Sequence, residues 1–569
     1  MKYNYDLIEK TKISEMGWKI SDLLRPIEKA GYKTNIAFAY AAYLCQDAQI
    51  DNADDFKTLI DEIEIDDIRL YIKEVVGEDF DYVAEVMRFN HEELEEYILF
   101  ENSDSERIMR EVYTPDCLNK LVIELLNIES NEKVGDLGSG IGSFLVRAAK
   151  AIPNAYFQGI EISTIEKTIS TIRAAILGGK ISISQGDMFD ITPQVFDKAF
   201  SNYPFGVRFS GSKGGEYYIK KANLGFPNVS KATSSDWIYN SLLLNSIREG
   251  GKAIGIMSVG SSWNTIDKPI REYFIENGYI EAIILLPNRL FASTSIATIL
   301  IVLSYNNKTI RIIDASNEYA PGRRQNEITD DNIDNILRFY ESDSEYSATF
   351  TIDEVREAEY NLNPQKWFEK EITIKNGVEF GSVIKKITRG ASIKASELDN
   401  IVSDSPTDYK YMMLSNIQNG IIDNKLPYIT GGSDEKYDKY CPHNRALLMS
   451  KNGSPYKIAV FEETEDAKVI ANGNLYIIEL DEEKVNPYFL QAFFESATGE
   501  LILKHASVGS NLPIISVESL KKMIIPLPNM EIQNEIASEM KAKNDEIRVL
   551  ELRLANAIES IRNVYEEGC

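Results

Sequence analysis

The chain has 569 residues, of which 44% are hydrophobic, a size and composition that allow three or four domains with separate cores. No stretch approaches the ~20 apolar residues that a membrane span requires, and the start, MKYNYDLIEK, has no apolar signal core. We therefore expect a cytoplasmic protein without a membrane partner.

The cysteines and histidines give no sign of a metal or disulfide site. The four cysteines are Cys45, Cys117, Cys441 and Cys569. They form no CxxC pair, which excludes the usual zinc spacing and a disulfide framework. The three histidines are His91, His443 and His505, far apart in sequence, so we expect no metal ion.

The net charge of −27 argues at first against a nucleic-acid partner. The charge is unevenly distributed, because residues 1–110 hold 13 Lys and Arg against 26 Asp and Glu. Basic residues gather later in the chain, at Lys385, Lys386, Arg389, Lys394, Arg445, Lys451 and Lys457. Such clusters are usually solvated surface, and an acidic segment can also bind a basic partner.

Residues 1–110 are predicted to form a helical domain. Segments such as DDFKTLIDEIEIDDIRLYIKEVV place apolar residues at helical spacing with acids between them. No catalytic constellation is visible in this part of the chain.

Residues 111–310 alternate short apolar strands with helices. The predicted strands are VGDLG, FQGIEI, ISISQGD, KAFSNYP, KAIGIMS, EAIILLP and ILIVLSY. This alternation predicts an α/β fold with a mostly parallel sheet and helices on both faces. Ligands of such sheets bind at the carboxyl ends of the strands.

The remaining chain is divided into three parts. Residues 311–370 are polar and acidic, and we interpret them as a connecting segment that closes the domain begun at residue 111. Residues 371–528 hold short strands and many Gly, Asn and Pro turns, and residues 529–569 are predicted to form one long helix. Its heptad positions are Met540, Ile547, Leu554 and Ile561, with Leu550, Ala557 and Val564 on a second seam that Lys543 interrupts.

Three strand ends carry the chemistry of a nucleoside site. The first leads into Asp136-Leu-Gly138-Ser-Gly140-Ile-Gly142, where glycines permit a sharp turn and a close backbone approach to a ligand. The second ends at Glu161, an acid that can accept two hydrogen bonds from a ribose diol. The third ends at Asp187-Met188-Phe189, an acid and an aromatic suited to an adenine ring.

The fourth strand ends in Ser201-Asn202-Tyr203-Pro204-Phe205-Gly206. An amino nitrogen such as adenine N6 is a poor nucleophile because its lone pair is delocalised into the ring. The Asn202 amide oxygen and the carbonyl of Tyr203 or Pro204 can accept its two hydrogens and free that lone pair. Pro204 stiffens the loop, and Phe205 can stack on a base extruded from the duplex.

At these residues the chain resembles the N6-adenine DNA methyltransferases, specifically the methylation subunit of Type I restriction-modification systems. The family motif (N/D/S)-P-P-(Y/F) is NYPF here, with Tyr203 in place of the first proline. The family's upstream Thr-Pro segment matches VYTP at residues 112–115, although the usual preceding Gly-Gln is Arg110-Glu111. LLPNRLFASTSIATILIVL resembles the family's late strands, and the order of the motifs resembles the gamma class.

The resemblance implies S-adenosylmethionine (SAM) as the cofactor and a bacterial or archaeal cell. The implied SAM-binding residues are Tyr113, Thr114, Pro115, Asp136, Gly138, Gly140, Gly142, Glu161, Asp187, Met188 and Phe189. The implied methyl-transfer residues are Asn202, Tyr203, Pro204 and Phe205.

The C-terminal third resembles one half of a Type I specificity subunit, which implies an α+β target-recognition domain at residues 371–528 followed by a long spacer helix. GVEFGSVIKKITRG is similar to its opening, and HASVGSNLPIISVESLKKMIIPLPNMEIQNEIASEM is similar to the end of a target-recognition domain entering its spacer helix. The resemblance implies duplex DNA as a partner, with Lys385, Lys386, Arg389 and Lys451 as candidates for phosphate contacts. The apolar seam from Ile536 to Val564 implies a homodimer, a separate specificity or restriction subunit, or packing within the chain.

Other functions stay open from the sequence. A methyltransferase acting on RNA or protein could carry the same tetrapeptide. A non-catalytic DNA-binding assembly protein would explain Tyr203 as decay, although Asp136, Glu161, Asp187 and Asn202 are all present. A combined restriction and methylation enzyme would need a nuclease motif, and we find no convincing one.

Overall fold

A computed structural model of the chain describes residues 1–5, 10–27, 31–101, 113–207, 209, 215–223, 233–291, 297–323, 325–368, 373–423, 425–430, 435–453, 455–463, 467–508 and 514–567. The chain divides into two compact units, residues 1–368 and residues 369–569. None of the described helices combines the length and the apolar character that crossing a membrane demands.

The first unit begins with the helices predicted for its acidic segment. Their bounds are α1 Lys10–Leu23, α2 Tyr32–Ala48, α3 Ala53–Glu62, α4 Asp66–Val75, α5 Phe80–Val86 and α6 His91–Phe100. The amphipathic helices α3 and α4 begin with pairs of acids, which favour helix N-termini. Asn90 caps α6 in a capping box with Glu93. Helix α2 lies at the centre, since every residue from Ile36 to Ala42 is buried. We call residues 10–101 the helical domain.

A large sheet follows, and all seven strands predicted for residues 111–310 are present. The elements are α7 Asp116–Leu126, β1 Lys133–Leu137, α8 Ser143–Ala151, β2 Tyr156–Glu161, α9 Thr164–Ile176, β3 Ile181–Gln185, β4 Phe196–Ser201, α10 Gly215–Asn223, α11 Ser235–Ser246, β5 Ile247–Ser258, α12 Lys268–Glu276, β6 Ile280–Leu285 and β7 Thr298–Leu303. The α/β fold predicted from the sequence is therefore confirmed.

The interpretation of residues 311–370 as a connecting segment is wrong. They contribute most of β8 Thr309–Asp314, then α13 Asp330–Glu341, β9 Ser347–Thr351, α14 Ile352–Glu357 and α15 Pro364–Trp367. Strand β8 pairs in parallel with β6, and β9 closes that side of the sheet in an antiparallel pairing. The acids that led to this interpretation occupy the first turns of helices, as at the start of α13. Ile310, Ile312 and Ile313 are buried in β8.

The sheet among the described residues has the order β3-β2-β1-β4-β5-β7-β6-β8-β9. Strands β1 to β5 run parallel, and β7 lies antiparallel between β5 and β6. Each face of the sheet carries its own apolar core, which explains why strands such as TILIVL are apolar throughout. A third core fills the helical domain and also includes Ile141, Ile169 and Ile172.

The second unit has the α+β character predicted from the sequence. Its elements are β10 Gly377–Glu379, β11 Ile384–Arg389, α16 Ala395–Ile401, β12 Val402–Ser403, β13 Tyr409–Met412, β14 Ile417–Gln418, β15 Ile421–Ile422, β16 Tyr428–Ile429, β17 Leu447–Ser450, β18 Ile458–Val460, β19 Lys468–Ala471, β20 Leu475–Leu480, α17 Pro487–Phe494, α18 Ala497–Ala506, β21 Ser507–Val508, β22 Ile514–Ile515, α19 Val517–Lys522, β23 Ile524–Pro526 and α20 Met530–Glu567. Its main sheets have the orders β11-β20-β17-β18 and β12-β16-β13-β19.

The long helix α20 packs on its own unit along only one of the two predicted seams. Gln533, Ala537 and Asn544 are the residues that the second unit buries, whereas Ile536 is 37% exposed. The side chain of Asn544 reaches Gln491 of α17. The predicted heptad positions Met540 and Ile547 are half-buried on this same face, whereas the second seam, with Ile536 and Leu550, is exposed, so only the second seam is wrong for this part of the helix.

The carboxamide of Gln533 anchors this face. Its Nε2 donates to the carbonyl oxygens of Lys484 and Pro528 at 3.0 and 2.8 Å, and its Oε1 accepts from the Asn486 N–H at 2.9 Å. We expect Gln533→Ala to weaken the unit by about 1–3 kcal/mol, because buried backbone groups lose their partners. Hydrogen exchange of the α17 amides should become about 5-fold faster or more. Glu535→Ala, on the exposed side of α20, is the control, and equal protection in both variants would contradict the anchoring role.

Candidate functional site

The candidate site lies at the edge of the sheet where β1, β2, β3 and β4 end. Because these strands are parallel, their carboxyl ends meet at this edge. The chain order reverses between β1 and β4, which are neighbours in the sheet although two strands separate them in sequence. Such a reversal opens a crevice that binds ligands in α/β proteins.

The loop after β1 depends on its three glycines. Gly138, Gly140 and Gly142 have φ values of 77°, 53° and 78°, a left-handed conformation that favours glycine. A Cβ atom on Gly138 or Gly140 would meet only open space, so both positions leave room for a ligand. A Cβ atom on Gly142 would lie 2.3 Å from Ser170 Oγ, so this glycine is also needed for the packing of α9.

Two buried acids stand beside this loop. One oxygen of Glu161 accepts from the Gly140 N–H and the other from the Ser163 N–H, both at 2.8 Å. Each carboxylate oxygen has a further lone pair, so these bonds are compatible with binding of a ribose diol. Burial and the charge of Glu161 raise the pKa of the Asp136 carboxyl well above its usual range.

The third strand end is an aromatic cluster. Asp187 Oδ1 accepts from the Phe189 N–H at 3.0 Å and so fixes the turn. The Phe189 ring is buried, with the ring of Tyr218 4.5 Å away and that of Tyr239 5.7 Å away. Met188 is also buried beneath this edge. Phe189 is thus packed among other aromatic rings in this structure, and Asp187 is the more accessible of these two expected adenine-binding residues.

The loop after β4 brings Asn202 to the Thr-Pro segment. The Asn202 Nδ2 donates to Thr114 Oγ1 at 3.0 Å, a contact that joins residues 88 positions apart. Thr114 is buried, and Pro115 is the N-cap of α7. Tyr113 packs on the core of the helical domain. The structure thus brings Asn202 into contact with Thr114, while Val112 lies outside the described residues.

The rest of this loop alternates between exposed and packed residues. Pro204 is exposed, and Phe205 is half-buried with its ring 5.9 Å from that of Phe291, in an edge-to-face arrangement. Tyr203 is fully buried and stacks on Tyr239 at 4.7 Å. The hydroxyphenyl group of Tyr203 is therefore part of the core, and only its main chain can take part in chemistry at the edge.

Two supporting residues were missed by the sequence analysis. Asp236 at the start of α11 is buried, and its Oδ2 accepts from the Ser258 N–H, the Ser258 hydroxyl and the Ser261 hydroxyl. Burial raises the pKa of its carboxyl, and the three hydrogen bonds oppose that shift. Tyr239 on the same helix carries the stack against Tyr203. The sequence around Asp236 and Tyr239 contains no motif, so only their contacts in the folded protein identify them as part of the site.

Most of the basic residues that gather in the second unit, including the phosphate-contact candidates Lys385, Lys386 and Arg389, have intramolecular partners there. The pairs are Lys385 with Asp481 at 3.4 Å, Lys386 with Glu479 at 3.4 Å, Arg389 Nε with the Gly473 carbonyl at 2.6 Å, Arg445 Nε with Glu482 at 2.6 Å, and Lys457 Nζ with the Leu414 carbonyl at 3.0 Å. Lys451 is half-buried and joins the strands through its main chain. Lys385 and Lys386 remain largely exposed, so their ion pairs are weak and exchangeable.

Comparison with known proteins gives two family matches. Residues 92–375 match the family N-6 DNA Methylase, and residues 374–560 match the Type I restriction modification DNA specificity domain. The MjaVIII methylase subunit of a Type I restriction enzyme from Methanocaldococcus jannaschii is 26% identical over 313 residues, which are 49% of this chain and 53% of the relative. The MpnII methylase subunit from Mycoplasma pneumoniae is 25% identical over 294 residues, 46% of this chain and 53% of the relative. The chain thus spans about half the length of these curated relatives.

A solved structure shares the fold of the first unit. The methyltransferase subunit of the type I restriction-modification system from Streptococcus thermophilus aligns with a TM-score of 0.50 at 18% identity, and the alignment covers 63% of this chain and 99% of that chain. This likeness agrees with the sheet order and the helical layers described above.

The raised pKa of Asp136 predicts how the stability of the folded chain depends on pH. The raised pKa of Asp136 means that the folded chain binds its proton more tightly than the unfolded chain does, so the stability it contributes is lost as pH rises through the folded-state pKa. We expect Asp136→Asn to raise the melting temperature at pH 7 by about 2 °C or more, as ~1 kcal/mol does for a large domain. The gain should shrink as pH is lowered towards 5.

Glu74→Gln is the control for this measurement, because it removes one negative charge at an exposed position. Thermal unfolding of both variants and the wild type, followed by circular dichroism at pH 5 and pH 7, gives the comparison. A melting temperature of Asp136→Asn below that of the wild type at pH 7 would show that Asp136 carries no electrostatic cost.

Proposed function

The chain belongs to the N-6 DNA methylase family, and we propose from this membership and from the contacts at the sheet edge that it transfers a methyl group from SAM to N6 of adenine in duplex DNA. The observation that carries the proposal is the hydrogen bond from Asn202 to Thr114, beside the glycine loop that follows β1. This contact supports the proposal because it joins the side-chain amide of the proposed catalytic loop to the segment proposed to border the cofactor.

The residues present fit the cofactor. Gly138 and Gly140 leave space for a ligand against the backbone, and Glu161 supplies carboxylate oxygens to a ribose. Asp187 lies at the next strand end for the adenine moiety. When bound there, SAM supplies an activated methyl group on its sulfonium. Tyr113, Thr114 and Pro115 would border its methionine end.

The chain's own residues then prepare the base. Donation from Asn202 Nδ2 to Thr114 fixes the plane of the amide, so its Oδ1 faces away from Thr114. We infer that Oδ1 accepts one hydrogen of N6 and that the main-chain carbonyl of Tyr203 or Pro204 accepts the other. Phe205, braced by Phe291, would stack on the extruded adenine. Fixed acceptors of this kind stabilise charge that develops on the nitrogen during transfer.

The second unit supports DNA as the substrate. Its match to a DNA specificity domain covers residues 374–560, including both main sheets and most of α20. RNA and protein methyltransferases have no evident use for such a domain. We propose that this unit reads the target sequence, with Lys385, Lys386, Arg389 and Lys451 near the phosphates, and that the enzyme belongs to a restriction-modification system.

A methyl-transfer assay tests this function. We expect label from methyl-tritiated SAM to appear as N6-methyladenine in duplex DNA, and not in RNA or protein offered at the same concentration. Asn202→Ala should lower the rate by about 100-fold to 1,000-fold, the loss that follows removal of a preorganised polar group. Its SAM affinity, measured by calorimetry, should change little because Asn202 faces the base.

Asn277→Ala is the matched control, because this asparagine is exposed at the end of α12 and bonds only locally to the Tyr273 carbonyl. Label in RNA or protein instead of DNA would favour the corresponding alternative. SAM binding without any transfer would favour a non-catalytic DNA-binding subunit. Near-normal transfer by Asn202→Ala would overturn the role assigned to this residue.

The second half of α20 suggests how the protein assembles. Leu550, Leu554, Ile558 and Ile561 lie on one side of the helix and are 47–70% exposed, so an apolar surface continues past the part of the helix that packs on its own unit. Exposed apolar stripes of this length usually bind another surface. We propose that two copies pair through α20 and present two recognition domains to a symmetric split site, and a separate specificity or restriction subunit is the alternative occupant.

The pairing can be tested by adding charge to the stripe. We expect light scattering of the wild type with target DNA present to give twice the 64.3 kDa mass of one chain after the mass of the DNA is subtracted. Leu554→Glu combined with Ile561→Glu should return it to one chain, because a buried unpaired charge is costly at such an interface. Asn556→Glu adds a charge on the opposite side of α20 and should leave the pairing intact. A wild type that is monomeric with and without DNA would refute the dimer.

A further inference from the structure

Arg173 on α9 is a fully buried arginine that joins the helical domain to the glycine loop. Its Nε donates to the Ile98 carbonyl at 2.8 Å, and its Nη1 donates to the Ile141 carbonyl at 3.2 Å. Its Nη2 donates to the Tyr32 hydroxyl at 3.1 Å and to the Glu101 carbonyl. One guanidinium therefore holds α2, the end of α6 and the loop between β1 and α8 together.

Within the described part of the chain, Arg173 donates to carbonyl and hydroxyl oxygens and to no carboxylate. A buried charge is costly unless hydrogen bonds replace its hydration, and the planar fork of a guanidinium fixes the directions of its partners. The Tyr32 hydroxyl, besides accepting from Arg173, donates to the Glu101 carbonyl at 3.1 Å. Moving either the helix ends or the glycine loop would leave donors of a buried cation unpaired, so Arg173 resists both movements.

A second path connects the same two parts of the molecule. Lys33 Nζ of α2 contacts Glu166 Oε1 at 2.5 Å, and the Ser163 hydroxyl donates to Glu166 Oε2. The Ser163 N–H donates to Glu161, which also accepts from the Gly140 N–H, both at 2.8 Å. The helical domain thus reaches the glycine loop through polar contacts near both ends of α9.

The apolar contact follows the same route. Ile141, the residue between the second and third glycines of the loop, is 1% exposed and belongs to the core of the helical domain. Ile169 and Ile172 of α9 lie in that core as well. The helical domain therefore packs against the glycine loop at Ile141, while the loop is joined to the sheet through β1.

We propose that the helical domain is the support that holds the glycine loop in its SAM-binding conformation, and that Arg173 is the positioning residue through which it acts. The N-6 DNA Methylase match begins at residue 92, so α1 to α5 lie outside the region with an assigned family role. The inference rests on the proposed use of SAM. Because coupling between two parts of a protein is reciprocal, SAM binding must in turn stabilise α2 and α6.

Calorimetric titration of the full-length chain with SAM tests the first half of the proposal. We expect Arg173→Met to bind SAM about 10-fold to 100-fold more weakly, since hydrogen bonds to a charged group that orient a site are among the stronger ones. Tyr32→Phe removes one acceptor of Arg173 without adding volume and should weaken binding about 3-fold to 10-fold. Arg173→Lys keeps the charge without the fork and should lie between Arg173→Met and the wild type.

Arg271→Met is the matched control. Arg271 is 1% exposed and donates to the carbonyl oxygens of Tyr360, Ser261 and Asn264, but it makes no contact with the glycine loop. Both methionine variants should lower the melting temperature, and only Arg173→Met should lower SAM affinity. Equal losses of SAM affinity in the two variants would mean that Arg173 is merely structural.

Hydrogen exchange tests the reciprocal half. Addition of SAM should slow exchange of the amides in Tyr32–Ala48 and His91–Phe100 of the wild type, and this protection should be lost in Tyr32→Phe or Arg173→Met. If the wild type binds SAM but α2 and α6 show no protection, and Tyr32→Phe binds as tightly as the wild type, the coupling does not exist. If the wild type binds no SAM, it is the proposed function that fails.

Discussion

The parallel pairing of β1 with β4 is the contact on which the candidate site depends. Asp136 of β1 lies opposite Phe200 of β4, so the glycine loop and the Asn202 loop leave the sheet side by side. The Ser201 hydroxyl donates to the Leu137 carbonyl at 2.5 Å and ties the two strand ends together. Because side chains alternate along a strand, a slip of one residue would turn Ser201 away from β1 and separate the two loops.

The negative charge of the chain and a DNA substrate are compatible once the charge is located. The acid-rich helices of the helical domain turn their acids to solvent while their apolar side chains pack behind the glycine loop. In the proposed function the second unit contacts the DNA phosphates. Its Lys385 and Lys386 form only weak, exposed ion pairs with carboxylates of the same unit. Phosphates can displace the carboxylates in such pairs at little cost, which couples DNA binding to salt concentration.

Sequence patterns predict the features that neighbouring residues determine. They do not predict features that depend on contacts between distant parts of the chain. The seven apolar strands and the glycines at 138, 140 and 142 follow from periodicity and from backbone conformation, and Asn202 follows from its position after a strand. The strand β8 was missed because acids that begin neighbouring helices dominate its surroundings. Arg173 could not be singled out, since its partners come from three other segments and no motif surrounds it. The seam of α20 that contains Ile536 was misassigned, because the polar residues Gln533 and Asn544 complete the packed face beside Met540 and Ile547.

Tyr203 shows how a departure from a family motif can be absorbed by packing. A proline at this position would present only its main-chain carbonyl at the edge, and Tyr203 does the same because its ring is buried against Tyr239. The room for the ring comes from Gly255 of β5, where a Cβ atom would lie 3.3 Å from the Tyr203 ring and 2.4 Å from Asn240 Oδ1. A side chain at residue 255 would push the ring towards the loop. The tyrosine is therefore matched to its surroundings, which argues against decay of the motif and places the constraint on the packing behind the loop.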